Sequence, residues 1–219
     1  MIDIVLLQTL GLKSTASVSD VRKTYLELTS QARFRKVLLA DERLLKEFTR
    51  YHEAYVSLLH QYEEESAGTD TSYYPPDQVA RFLFNSGVYH LLKQNYIKAG
   101  EKLQQAYKTN SRDALTIVYL GILLMLRKNS FAAEKYFIDA AKMDPSNEDA
   151  YFYAAENYSR AGNHKKALEM YAKVKTNNPL RKEIDAKIHE SAKKSGVKIK
   201  DPNAPGHPLL KKISNLFKK

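Results

Sequence analysis

Apolar residues recur at helical spacing along most of this chain, and the spacing predicts a string of helices. Ile4 to Leu12 reads as a short helix stopped by Gly11. Ser17 or Ser19 is placed to cap a second helix, with Asp20 in its first turn and Val21, Tyr25 and Leu28 on one face. A third helix is predicted from about 41 to 64, where Leu44, Leu45, Phe48, Tyr51, Tyr55, Leu58 and Leu59 share a broad face. Gly68, Pro75 and Pro76 then interrupt the pattern, and Asp77 is positioned to cap the next helix. From Glu148 to Asn178 the pattern describes two short helices around a turn at Gly162–Asn163. Moving back 34 residues twice recovers the same arrangement. Small residues align at Ala99, Ala133 and Ala167, and again at Gly87, Gly121 and Ala155. Bulky ones align at Leu103, Phe137 and Tyr171, and a fourth row is Ala106, Ala140 and Val174. The stretch Leu115–Leu126 is apolar nearly all round, which predicts a helix covered on every side.

Self-similarity at this period resembles the tetratricopeptide family, in which each repeat is a helix–turn–helix and neighbours stack into a solenoid. The repeats are placed at 80–113, 114–147 and 148–181, with Pro145 and Pro179 where that family ends its second helix. Residues 182–196 read as the polar capping helix of such an array, with Ile184, Ile188 and Ala192 as its packing face. The family binds ligands along the first helices of its repeats. The resemblance therefore implies a groove over Phe84, Val88, Leu91 and Leu92 in the first repeat, Val118, Ile122 and Met125 in the second and Phe152 in the third. The family's carboxylate clamp is absent, because its positions hold Phe84, Val88, Ile122, Asp149 and Tyr153. The groove so defined suits an apolar helical segment rather than an acidic chaperone tail. It could equally be covered from within the molecule, by the N-terminal unit, by the chain's own tail or by a second copy.

Residues 1–65 resemble a second family. Leu7-Gln8-Thr9-Leu10-Gly11-Leu12, Ser19 to Leu28 and Phe48 to Leu58 are similar to the three helices of a J-domain, down to Glu53-Ala54-Tyr55. The His-Pro-Asp tripeptide with which that family stimulates its ATPase chaperone is replaced by Arg33-Phe34-Arg35. The resemblance implies the three-helix fold without the activity. Residues 66–79 form a linker by composition, and 197–219 a basic tail. In that tail Leu209, Leu210, Ile213, Leu216 and Phe217 alternate with lysines as a short amphipathic helix. Such a helix can dock in a groove, make weak contact with an anionic membrane, or stay disordered.

Charge sharpens the picture at one place. The chain of 219 residues carries a formal +10, but 11 of the 15 charges in residues 181–219 are basic, so the excess belongs mainly to the tail. With no cysteine, thiol catalysis, disulfides and thiolate metal sites are excluded. The six histidines are scattered, His52 and His60 lying eight apart on one helix, too far for a shared ion. No phosphate loop, dinucleotide turn or nucleic-acid reader motif is present. The acid at Asp3 and the break at Gln8-Thr9 are unlike a secretory signal, and no segment is apolar enough to span a bilayer.

These features give an all-α chain, a J-like three-helix unit followed by three tetratricopeptide repeats and a capping helix. The expected role is a cytoplasmic protein-interaction adaptor or scaffold, not an enzyme and without cofactor or metal. Its expected partner is another protein, with no specific nucleic-acid target and self-association open. The alternatives are a chaperone cofactor and a structural subunit of a membrane-associated assembly.

Overall fold

The computed structural model describes residues 2–34, 41–66, 74–174 and 181–197. Among these there are helices and turns and no strand. In chain order the helices are α1 (Ile4–Thr9), α2 (Val18–Thr29), a 3-10 turn (Ala32–Phe34), α3 (Glu42–Ser66), α4 (Pro76–Leu92) and α5 (Tyr96–Thr109). They continue with α6 (Ala114–Leu126), α7 (Ser130–Met143), α8 (Glu148–Arg160), α9 (His164–Tyr171) and α10 (Arg181–Ser195). The chain divides into two compact units, Met1–Thr116 and Ile117–Lys219.

In the first unit α1 and α2 pack on α3, and α2 and α3 in turn pack on α4. Ser17 caps α2 through a reciprocal pair: its hydroxyl accepts from the Asp20 amide, and the Asp20 carboxylate accepts from the Ser17 amide. Leu7, Val21, Tyr25 and Leu58 are fully buried between these helices. Gly11, at φ +76, ends α1 in the left-handed conformation that glycine adopts at least cost. The first repeat belongs to this same unit rather than hanging from a tether. Tyr25 of α2, Tyr55 of α3 and Phe82 of α4 form a nearly parallel stack, with ring centroids 4.0 Å and 5.5 Å apart along it. Tyr74 meets Phe82 edge-on and its hydroxyl accepts from Arg22 at 2.7 Å. The expected linker is accordingly shorter at its far end. Helix α4 opens at Pro76, because proline suits the first helical position, where no amide donor is needed. Asp77 does not cap it; its carboxylate accepts from Asn110 instead.

The helix pairs owe their close approach to the small-residue rows. A Cβ added at Gly87 would stand 2.7 Å from Cγ of Leu103, and one at Gly121 would stand 2.6 Å from Cε1 of Phe137. Each glycine therefore admits the bulky side chain of its partner helix. The turn between paired helices is also periodic. Gln94, Lys128 and Gly162, each 34 residues from the next, have φ of 57, 61 and 78. Asn95, Asn129 and Asn163 follow them, and each side chain accepts from an amide three residues on. Each asparagine's own amide donates back to a carbonyl five residues earlier, in the pattern of a Schellman ending. This asparagine row was legible at its 34-residue spacing, although only Gly162–Asn163 stood out as a turn.

In the second unit α7 packs on α8, α8 on α9 and α9 on α10. The capping helix is as expected: Ile184, Ile188 and Ala192 are buried, and Lys187 pairs with Glu156 of α8 at 2.8 Å. Residues 198–219, and with them Leu209, Leu210, Ile213, Leu216 and Phe217, lie outside the described residues.

Candidate functional site

The residues expected to line a groove are mostly interior. Phe84, Val88 and Leu91 are buried in the first unit, with Leu92 half-buried. Val118 and Ile122 are fully buried in the second, and Met125 and Phe152 nearly so. In a helical hairpin the positions facing the partner helix and those facing the concave side are adjacent on the wheel. Apolar spacing alone does not separate them.

The face of α4 that remains is taken by the chain itself. Arg81 Nη2 donates to the Thr29 carbonyl at 2.5 Å, and Asn85 Nδ2 donates to the Thr29 hydroxyl at 2.9 Å. Thr29 in turn donates to the Tyr25 carbonyl at 2.9 Å. The Tyr25 hydroxyl and His52 Nδ1 share a hydrogen bond of 2.7 Å, and the His52 ring lies 4.5 Å from that of Tyr89. Glu53 accepts from the Tyr89 hydroxyl and pairs with Lys93 at 3.0 Å. Positions 81, 82, 85 and 89 of α4 thus meet α2 and α3. Sequence patterning left open whether the N-terminal unit covers this helix and did not mark these contacts, since Thr29 and Asn85 stand 56 residues apart.

Burial dominates the electrostatics of this layer. It pushes His52 from 6.5 down to about 4, with the His90 charge adding to the effect and Glu53 opposing it. Burial likewise holds the Tyr25 phenol well above its usual range. His52 is therefore neutral in the folded chain, while the unfolded chain protonates it near 6.5. Its contribution is complete above that value and is lost as pH falls toward 4, amounting to about 2 kcal/mol at pH 5. Urea denaturation at pH 7 and at pH 5 should show this loss in the wild type. It should be mostly absent in His52→Gln, which keeps an acceptor for Tyr25 without the titration.

Between α2 and α4 a polar cleft of about 560 Å³ is lined by Glu27, Asp77, Arg81, Arg112 and Asp113 among others. Its charges largely compensate one another. Two surface features stand out more. Ile97 is 73% exposed and Phe131 89% exposed. They hold the same place, the second residue of the second helix, in the first and second repeats; the third repeat has Lys165 there. The other is a group of arginines at the start of α3. Among the described residues no three His, Asp or Glu side chains are placed to hold a metal ion, and no helix is long and apolar enough to cross a membrane.

Helix pairs with this period, these small-residue contacts and these turns define an all-α fold of the tetratricopeptide type. A solved structure agrees. The chain is similar to the crystal structure of MamA protein, with a TM-score of 0.52 and 17% identity, over 82% of this chain and 85% of that one. At that identity the likeness establishes the fold and not the activity. No protein-family model matches the chain, and no curated protein matches it in sequence.

Proposed function

We propose that this protein is an interaction scaffold that binds other proteins through exposed positions on its helical repeats. The observation that carries the reading is the exposure of Ile97 and Phe131 at equivalent repeat positions. A large apolar side chain that is almost wholly in water gains most when a partner covers it, about 1.5–3 kcal/mol for each such group. Packing inside the repeats does not require either residue, since the third repeat carries a lysine there. The test is affinity purification from the native cell with mass spectrometry, comparing wild type with Ile97→Glu and Phe131→Glu. Both variants should keep the wild-type melting temperature and lose the specific partners. Unchanged recovery from both would remove the proposal.

The groove reading takes a narrower form. A partner segment would reach Phe84, Val88, Leu91 or Leu92, or Val118, Ile122, Met125 or Phe152, only by displacing what packs on them. The J-like reading of residues 1–65 is supported by the packing of α1 and α2 on α3. Phe34 and Arg33 occupy the place of the family's tripeptide, where Phe34 is buried against Phe48 and Tyr51 and Arg33 pairs with Glu47. A chaperone-cofactor role through other residues of this unit remains a separate proposal, and a flat response in an ATPase-stimulation assay with a DnaK-type chaperone would end it.

A further inference from the structure

We propose that the first three turns of α3, with the 3-10 turn before them, form a cradle for an acidic segment of a partner protein. The cradle is a recess of about 350 Å³ lined by Arg33, Arg43, Lys46, Glu47 and Arg50. This goes beyond the apolar positions on the repeats, being a charged surface on another element.

Its internal pairing decides which charges are left to a ligand. Glu47 is already committed: one carboxylate oxygen takes Arg33 Nη1 at 2.8 Å and the other takes the Tyr51 hydroxyl at 2.8 Å. Arg33 is held further by Nε donating to Gln31. Lys46 pairs with Glu42 at 2.6 Å on the exposed side of the helix. Arg43 and Arg50 have no carboxylate partner among the described residues and are exposed. They stand seven residues apart, two turns along one face, or about 10 Å. The Arg50 guanidinium lies 5.5 Å from the centre of the Tyr51 ring and that of Arg33 lies 4.8 Å from Phe34. The ring beside Arg50 reduces the freedom that this guanidinium loses when a ligand engages it.

The surroundings select among anionic ligands. A membrane surface would need apolar side chains to insert beside the charges. Among the described residues here, Phe48 and Tyr51 are buried and Leu44 and Leu45 half-buried. A single-stranded nucleic acid would need an open ring on which bases stack. The two rings at this site, Phe34 and Tyr51, are only 2% and 8% exposed. What remains is a pair of forked donors at a spacing that matches carboxylates two turns apart on a helix, or a short acidic stretch.

The test uses the full chain and a fluorescein-labelled, alanine-based helical peptide bearing glutamates on one face two turns apart, with its glutamine counterpart. Fluorescence anisotropy should show the glutamate peptide bound at least about tenfold more tightly, with the difference shrinking as salt rises. The double variant Arg43→Glu/Arg50→Glu should bind the glutamate peptide no better than the glutamine one. Lys98→Glu/Lys108→Glu on α5, an equal change in charge, should bind it like wild type. Circular dichroism should show both variants folded, since all four residues are exposed. An equal loss in the α5 variant would overturn the proposal by reducing the effect to net charge. So would failure to prefer glutamate, or displacement of the peptide by a modest excess of inorganic phosphate. Tighter binding of phosphatidylserine vesicles or of DNA through the same two arginines would also overturn it.

Discussion

Replacing Ile122 by lysine is expected to unfold the second compact unit rather than merely blunt a surface. Ile122 is fully buried on α6, beside Gly121, whose missing Cβ lets Phe137 approach. A lysine there must bury its charge without a partner or give up its proton, and it must also fit a longer chain into a filled space. The expected cost is about 4 kcal/mol or more, in the range reserved for buried charges. Urea denaturation and hydrogen exchange would measure it, with amide protection in α7 and α8 falling together. A stably folded variant with wild-type protection would mean that the Ile122 face opens readily, and would return the groove reading to first place.

Tyr25→Ala should cost about 3–5 kcal/mol, through the cavity left by a fully buried ring. The ring is stacked on Tyr55 at 4.0 Å and its hydroxyl meets His52, so its loss opens the layer that holds α2 and α3 against α4. Tyr25→Phe separates the two contributions. It keeps the stack and loses the hydrogen bond, for about 1–3 kcal/mol. Denaturation of both variants at pH 7 provides the measurement. A cost below about 1 kcal/mol for the alanine variant would show that the N-terminal helices do not depend on this stack.

The two substitutions mark where sequence reasoning succeeds and where it stops. The repeats were legible because three copies vote on each position: Ala99, Ala133 and Ala167 mean little singly and much together. The capping helix followed from the polar end that a repeat array requires, with Ile184, Ile188 and Ala192 as its packing face. The start of α4 was obscured because Pro75 and Pro76 interrupt a helix yet also suit its first turn. Hydrophobic spacing marked Ile122 and Val118 as faces to be covered, and left open whether a partner or the fold covers them. The attachment of the N-terminal helices to the first repeat was hidden for a different reason. Beside the aromatic stack it runs through Thr29, His52, Arg81 and Asn85, polar residues whose partners depend on tertiary geometry and leave no periodic trace. The arginine cradle was obscured in the same way, since Arg33 stands ten residues before Arg43 and outside the helix that carries Arg43 and Arg50.

Helix α3 runs unbroken for 25 residues with no glycine or proline in it, a rod about 37 Å long. Its first turns hold the arginines, its middle presents His52 and Tyr55 to α2 and α4, and its last turns accept the Asp3 amide at Gln61 and reach Ala16 through Tyr62. Without proline or glycine the rod has no built-in kink between the arginines and the residues that meet α4. Arg43, Arg50 and the Tyr55 ring of the Tyr25–Tyr55–Phe82 stack therefore lie on one continuous helix, which carries a charged end and an aromatic middle at a fixed spacing.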